Sequence, residues 1–226
     1  LGLDVRQVWF NGWSQLVDAD TLGPRQGEYL SALIQEQKIP HNKSFKGRAA
    51  CVPRKGKLPV KRLPGNLTLT LLSPGPDQLI NLRAEWKALL GDDAGNAKKA
   101  LTELAKIKRY KDTLGPAKTP DIRKLAAAPF HPDTSKPNAT SIAFLAECRG
   151  KRCLFAADAN PPVLDAAVDR LLAQQGASRL TVDAFKVPHH GSRHNLSPEL
   201  LEKLNCRHYL ISTSGKRFKH PDQEAV

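Results

Sequence analysis

The sequence has 226 residues, enough for one large domain or two small ones, and its composition is that of a globular protein. It contains no run of about 18 apolar residues and no signal-peptide core, so we expect no membrane contact from this segment. The four cysteines form neither a CxxC pair nor a secreted-type disulfide framework. We therefore expect reduced thiols and a cytoplasmic location, unless the segment is joined to an upstream membrane domain.

The net charge of +13 is concentrated in two stretches. Residues 43–62 hold eight basic residues and no acidic ones, and residues 98–124 hold nine basic against three acidic. Such concentrated charge attracts polyanions and steers phosphate-bearing substrates. A solvated surface kept soluble by lysine explains the pattern equally well, because aromatic residues for base stacking are nearly absent.

The N-terminal part predicts alternating strands and helices. Residues 5–10 (VRQVWF) are typical of a short strand, and Leu30, Leu33 and Ile34 share one face of a helix predicted over 24–38. Alternating leucines in LTLTLLSP predict a half-buried strand from Leu67. Helical spacing then predicts one packing face, formed by Leu79, Leu82, Trp86 and Leu89. We expect the N-terminal strands to supply a second sheet.

The middle of the chain predicts an insertion or lid at about residues 92–137. A helix over 97–112, strongly basic on its outer side, is followed by a loop with five prolines. After this loop, SIAFLAE and KRCLFAAD predict a β-hairpin that turns at Arg149 and Gly150. Cys148 and Cys153 flank the turn, and we expect them to face each other as a structural thiol pair.

The C-terminal third predicts two consecutive βα units. Residues 161–175 indicate a crossover helix with Asn160 as N-cap and Gly176 as its end. Its buried face is predicted to contain Leu164, Val168, Leu171 and Leu172. Ser197 and Pro198 open a shorter helix before a strand at 207–214. Right-handed crossovers of this kind make the strands parallel neighbours.

Each of these strands leads into a residue of the kind that binds metal ions. Asp158 follows the first strand, the adjacent His189 and His190 follow the second, and His220 follows the third. Open α/β sheets place ligand sites at this carboxyl edge, so we expect the four residues there together. An aspartate after a strand also serves as a helix N-terminal cap, which is the simpler interpretation of Asp158.

The remaining histidines have simpler interpretations. His194 and His208 are interpreted as surface or packing residues. His41 and His131 lie in proline-flanked loops, and we interpret both as loop residues.

The succession NATSIAFLAE, LFAADAN, KVPHHGS and ISTSGKRFKHP resembles the C-terminal half of metallo-β-lactamase-fold hydrolases related to the ComEC competence proteins. The four motifs occur in the order typical of that family, across roughly the last ninety residues. WFNGW near the start resembles a segment that follows the family's first metal motif, HxHxDH or HxDxDH. That motif does not occur here, and we expect it upstream of Leu1.

The resemblance implies a fold and a set of roles. The fold is α/β, a metallo-β-lactamase-type αββα sandwich, here expected to be a single partial domain over 1–226, truncated at both ends. Asp158 matches the aspartate that bridges two metals, although Ala157 stands where the family usually has glycine. His190 matches the ligand histidine, His189 a supporting or acid/base group, and the reverse assignment stays open. His220 matches a substrate-binding or proton-transfer group. Polar support is expected from Asn138, Ser141, Ser192 and Ser214.

The implied activity is metal-dependent hydrolysis. Two divalent ions, zinc or manganese, would activate a water, and the basic stretches favour a phosphodiester over a β-lactam or thioester. The leading hypothesis is a phosphodiesterase or nuclease acting on nucleic acid or a nucleotide, with this fragment alone inactive. The alternatives are a non-catalytic nucleic-acid-binding module on a degenerate hydrolase scaffold and hydrolysis of a small non-nucleotide ester.

Overall fold

The structure is a computed structural model that describes residues 5–15, 24–104, 106, 129–213 and 220–226. The chain divides into two compact units, Leu1–Lys55 with Pro74–Arg109, and Gly56–Ser73 with Tyr110–Val226. The single-domain prediction stays a prediction, and each unit is described by itself. None of the described helices is long and apolar enough to cross a membrane.

The described part of the first unit is helical. It contains α1 (Pro24–Glu36), α2 (Pro76–Leu90) and α3 (Ala97–Leu104). Its centre is Trp86, which is fully buried and donates through Nε1 to Oε1 of the buried Glu28 at 2.9 Å. The helix predicted at 97–112 is observed as far as Leu104, and half of the predicted insertion, residues 105 and 107–128, lies outside the described residues.

Two helix faces differ from prediction. Leu79, Leu82 and Trp86 are buried as expected, but Leu89 is 61% exposed because it lies in the last turn of α2, where Leu90 packs against the Trp86 cluster instead. In α1, Ile34 is buried but Leu30 is 40% exposed. The buried Glu28 and Ala32, four residues apart, define the inward face of α1.

The strand predicted at residues 5–10 is wrong. Val8 forms only an isolated parallel bridge with His41. The side-chain amide of the buried Asn42 accepts the Phe10 N–H at 2.9 Å and donates to the Phe10 carbonyl at 2.8 Å. Because one side chain satisfies the backbone groups that a strand partner would use, no ladder forms.

In the described part of the second unit, six strands form one open sheet in the order in which they occur in the chain. They are β1 (Val60–Leu63), β2 (Leu67–Leu71), β3 (Phe144–Cys148), β4 (Lys151–Phe155), β5 (Leu180–Lys186) and β6 (Leu204–Leu210). Strands β1 to β4 pair antiparallel, whereas β4, β5 and β6 are parallel neighbours, as predicted. The fold class is therefore α/β with a mixed sheet.

The second sheet expected from the N-terminal strands is not found among the described residues. Strand β2 instead extends the same sheet, with Leu69 opposite Ala146 of β3. The expected cysteine pair is also wrong: the two-residue turn at Arg149 and Gly150 places Cys148 opposite Lys151, and Cys153 opposite Ala146. All four cysteines are free thiols.

Among the described residues of the second unit, three α-helices accompany the strands: α4 (Lys136–Ala139), α5 (Pro161–Gln175) and α6 (Pro198–Lys203). The predicted apolar face of α5 is buried throughout, and the helix ends at Gly176 in a left-handed conformation (φ 63°). Asn160 is the N-cap, but its side chain donates to the Ser135 carbonyl. Ser197 caps α6 by accepting the Leu200 N–H at 3.1 Å. Strand β6 begins at Leu204, directly after α6, rather than at residue 207.

Candidate functional site

Two loops at the carboxyl edge of the sheet carry the predicted site residues. Asp158 lies three residues after β4, and His189 lies three residues after its parallel neighbour β5. The His189 N–H donates to the Ala157 carbonyl at 2.9 Å, which joins the two loops. Parallel pairing therefore brings Asp158 and the histidine pair to one edge.

The histidine pair lies in a turn of unusual backbone geometry. His189, His190 and Gly191 all have positive φ, at 42°, 58° and 83°. Left-handed non-glycine residues cost of order 1 kcal/mol or more each, and such strain is concentrated at functional sites. A Cβ on Gly191 would lie 2.7 Å from Pro221 Cβ, so the third position also needs glycine for space.

His190 is held through one of its two ring nitrogens. Its Nδ1 lies 2.6 Å from the Ser212 carbonyl, so Nδ1 carries the hydrogen and donates it. The other ring nitrogen, Nε2, is then left with a free lone pair on an exposed side chain. Metal-binding histidines typically hold their second nitrogen against a carbonyl or carboxylate in this manner.

His189 and His220 stand beside one another near His190. The ring centroid of His189 lies 6.1 Å from that of His190 and 5.5 Å from that of His220. His220 Nδ1 lies 3.4 Å from Oδ1 of Asp222, whose N–H donates to the Gly191 carbonyl at 2.8 Å. Residues 220–222 thus lie at the histidine turn and add a third imidazole.

Asp158 is half-buried in the loop that the His189 N–H contacts. The Asp158 N–H donates to Ser141 Oγ at 3.3 Å, so Ser141 contacts the backbone of this loop. Burial lowers the pKa of Lys186, and the negative charge of Asp158 acts in the opposite direction, so the two groups interact. The N-cap of α5 is Asn160, which makes the helix-cap interpretation of Asp158 wrong.

Asp133 is a functional candidate that sequence reasoning missed. Its carboxylate accepts from Asn138 Nδ2 at 2.7 Å, the Ser135 N–H at 2.8 Å and Asn195 Nδ2 at 2.9 Å. Burial raises the pKa of Asp133, but these hydrogen bonds together hold it below its usual value. Its Oδ2 also lies 3.7 Å from His189 Nδ1. The Asp-x-Ser spacing of an Asx turn was the available signal.

Of the other residues predicted as polar support, Asn138 and Ser192 both make hydrogen-bond contacts near the histidine turn. Asn138 Nδ2 lies 3.3 Å from His189 Nδ1, in addition to its bond to Asp133. The buried Ser192 accepts the His194 N–H at 3.2 Å and shapes the turn. Ser214 lies outside the described residues.

The four histidines expected to be peripheral take separate places. His194 Nδ1 lies 2.7 Å from the carbonyl of the exposed His131, and His208 is exposed on β6. His41 lies in the first unit, with Nε2 2.5 Å from the Phe10 carbonyl.

Asp158 and His190 are the two described residues at this edge that the sequence analysis named as metal donors. Asp158 and His190 are donors of suitable type, and Nδ1 of His190 is anchored as a ligand requires. However, the part of the chain that the structure describes contains no group of three His, Cys, Asp or Glu side chains arranged to hold a metal. The described residues therefore provide part of a metal site at most.

Fold and site together define an α/β protein whose open mixed sheet carries histidines and carboxylates at the carboxyl edge of its parallel strands. The chain matches no protein-family model, no curated protein and no solved structure.

Proposed function

We propose that this protein is a metal-dependent hydrolase with a metallo-β-lactamase-type αββα sandwich, related to the ComEC competence proteins. The observation that carries the proposal is the cluster of His189, His190 and His220 at the sheet edge that also carries Asp158, in which each imidazole turns Nδ1 towards an oxygen of the protein. A polar cluster at the carboxyl edge of parallel strands is the usual place of an active site in such sheets.

In this proposal Asp158 and His190 Nε2 are metal donors, and further donors come from outside the described residues. Two zinc or manganese ions, when bound, would supply an activated water and polarise the scissile bond. In the same proposal His189 and His220 contact the substrate and transfer protons. Asn138 and Ser141 hold the neighbouring loops in place.

A phosphodiester, in nucleic acid or a nucleotide, is the proposed substrate. Its support is the exposed basic segment around residues 43–62, which attracts phosphate groups. A neutral β-lactam or thioester gains nothing from such charge, so a phosphodiesterase or nuclease is favoured over those activities.

The test compares three alanine variants, made in the chain together with any sequence that precedes it in its gene. Asp158→Ala and His190→Ala are expected to lose bound metal and hydrolysis of bis(p-nitrophenyl) phosphate together, each by at least tenfold, because each removes a donor. His194→Ala is the matched control, since His194 Nδ1 faces the His131 carbonyl. Bound metal by mass spectrometry and initial rates are measured. Full activity in either donor variant contradicts the proposal.

A second candidate is a non-catalytic nucleic-acid-binding module. The absence of a three-donor metal group from the described residues favours it. Such a module binds nucleic acid in a salt-dependent way, with or without a chelator, and hydrolyses nothing.

A further inference from the structure

We propose that Asp133 is a positioning residue that acts through Asn195 to hold His189 in one tautomer, with the hydrogen on Nδ1 and a bare Nε2. The inference deepens the proposed function and depends on it for its meaning in catalysis. The tautomer of His189 itself is inferred only from hydrogen bonds made by side chains of this protein. All of them lie in the second unit, in the network of Asp133, Asn138, Asn195 and His189.

The first step is the orientation of the Asn195 amide. Its Nδ2 lies 2.9 Å from Asp133 Oδ2 and 3.4 Å from the carbonyl oxygens of Asp158 and Ala159. Turning the amide over would place Oδ1 against three oxygens, one of them a carboxylate oxygen. Asn195 is fully buried, so no solvent contact compensates for that repulsion. The amide therefore presents its NH₂ to Asp133.

The second step follows from the other half of the same amide. Asn195 Oδ1 lies 2.9 Å from His189 Nδ1. An amide oxygen only accepts hydrogen bonds, so Nδ1 must carry the hydrogen. The Asp133 carboxylate, 3.7 Å from Nδ1, favours a hydrogen at that position as well.

One neighbour opposes this assignment. Asn138 Nδ2 is a donor and lies 3.3 Å from His189 Nδ1, where a second hydrogen is unfavourable. The same nitrogen lies only 2.7 Å from Asp133 Oδ2, a shorter contact to a charged acceptor. One of the two hydrogens of Asn138 Nδ2 goes to Asp133 in a charge-assisted bond. The contact of Asn138 Nδ2 with His189 Nδ1, at 3.3 Å, is longer than the 2.9 Å contact of Asn195 Oδ1, so the Asn195 contact decides the tautomer.

The consequence concerns the role of His189. With Nδ1 protonated and engaged, neutral His189 offers only the Nε2 lone pair to a ligand. That nitrogen accepts a proton or binds a metal, and it donates a proton only after it has accepted one. His189 is thus assigned as a proton acceptor or metal donor rather than a resting proton donor.

The test is nitrogen NMR of the 226-residue chain labelled at its seven histidines with ¹⁵N, in alkaline buffer where imidazoles are neutral. His189 is assigned by comparison with His189→Gln. We expect its Nδ1 shift in the range of a protonated ring nitrogen and its Nε2 shift in the range of a bare one. A wild-type spectrum with the opposite tautomer overturns the inference, whatever any variant does.

Two variants separate positioning from mere structural support. Asp133→Asn is expected to shift His189 towards the other tautomer or a mixture, because an amide at position 133 can present its NH₂ as well as its oxygen to Asn195, and the carbonyls of Asp158 and Ala159 contact Asn195 Nδ2 only at 3.4 Å. Asp183→Asn, which neutralises another hydrogen-bonded carboxylate of the same unit, is expected to leave His189 unchanged. An unaltered His189 spectrum in folded Asp133→Asn, judged by its amide spectrum, contradicts the role of Asp133.

The NMR result for the His189 tautomer does not depend on whether the proposed function is correct. No metal or substrate enters the measurement, so the Nδ1–H tautomer can be found in a protein that neither binds metal nor hydrolyses phosphodiesters. In that case the proposed function fails and the inference stands. Conversely, metal-dependent hydrolysis together with a His189 hydrogen on Nε2 would retain the function and overturn the inference.

Discussion

At the scale of single residues, Cys51 shows how burial changes reactivity. Burial raises the pKa of the Cys51 thiol to about 11, although the charge of Arg54 acts in the opposite direction. Because the thiolate is the reactive form, the thiol of Cys51 is protonated at neutral pH.

We predict that Cys51 is alkylated by iodoacetamide at pH 8 on the order of 100-fold more slowly than an ordinary cysteine in a peptide, since its thiolate fraction is lower by that factor. Alkylation followed by peptide mass spectrometry measures the rate, with a model cysteine peptide as the reference. A rate for Cys51 equal to that of the peptide would show that burial does not protect it.

The candidate site was partly predictable from single residues. The spacing of Asp158, His189 and His190 from the ends of apolar strands was sufficient to place them at one edge, because parallel pairing is a local consequence of the βα units. Asp133 was missed because its importance depends on Asn195, which is 62 residues away in the sequence. No local pattern encodes a contact of that separation.

At the scale of elements, the histidine turn depends on Gly191. Both Gly191 (φ 83°) and Gly176 (φ 63°) have left-handed backbone, but only Gly191 is crowded, since a Cβ there would meet Pro221. A Cβ on Gly176 would meet no heavy atom within 4 Å. Alanine at position 176 would therefore add backbone strain alone, whereas alanine at position 191 would add both backbone strain and a steric clash.

We predict that Gly176→Ala lowers the free energy of unfolding by about 1 kcal/mol, the cost of a left-handed alanine. Gly191→Ala is expected to cost more than that, because its Cβ also displaces Pro221 and with it the adjacent His220. Urea unfolding of both variants gives the comparison, and equal losses would contradict the crowding argument.

Elements with regular periodicity were predicted well. The apolar spacing of α5 gave its buried face, and Gly176 gave its end. The strand expected at residues 5–10 failed because the Asn42 side chain, distant in sequence, satisfies the Phe10 backbone. Hydrophobic periodicity cannot indicate that a distant side chain will take the hydrogen bonds of a strand partner.

At the scale of the whole molecule, the net charge of +13 predicts salt-sensitive binding of polyanions. Arg54 contacts Asp77 at 2.5 Å, so part of its charge is compensated. Lys55 and Lys57 are exposed, and among the described residues neither forms an ion pair. These two lysines are the better probes of phosphate attraction.

We predict that Lys55→Gln with Lys57→Gln weakens binding of duplex DNA and makes the slope of log affinity against log salt shallower by about one for each lost phosphate contact. A matched pair, Lys151→Gln with Lys203→Gln, removes the same charge from lysines already paired with Asp183 and Asp169, and is expected to change the slope less. Fluorescence anisotropy at several salt concentrations measures the slopes. Equal slopes in the two double variants would contradict a role for this segment.

The fold class was predictable because alternating strands and helices in the C-terminal third require a sheet with parallel strands. The arrangement of β1 and β2 was not, because their hydrophobic alternation suits either face-to-face packing or edge extension of one sheet. The pairing of Leu69 with Ala146 decides between these arrangements, and it joins residues far apart in the sequence.

The strand order also has a consequence for biosynthesis. Each of the six described strands lies beside the one made just before it, so none of these six has to insert between two that are already paired. Among them, the step from β2 to β3 closes the longest stretch of chain, from Leu71 to Phe144. A chain emerging from the ribosome can therefore extend this sheet one edge at a time after that closure, which makes the joining of β2 to β3 the expected slow step of folding.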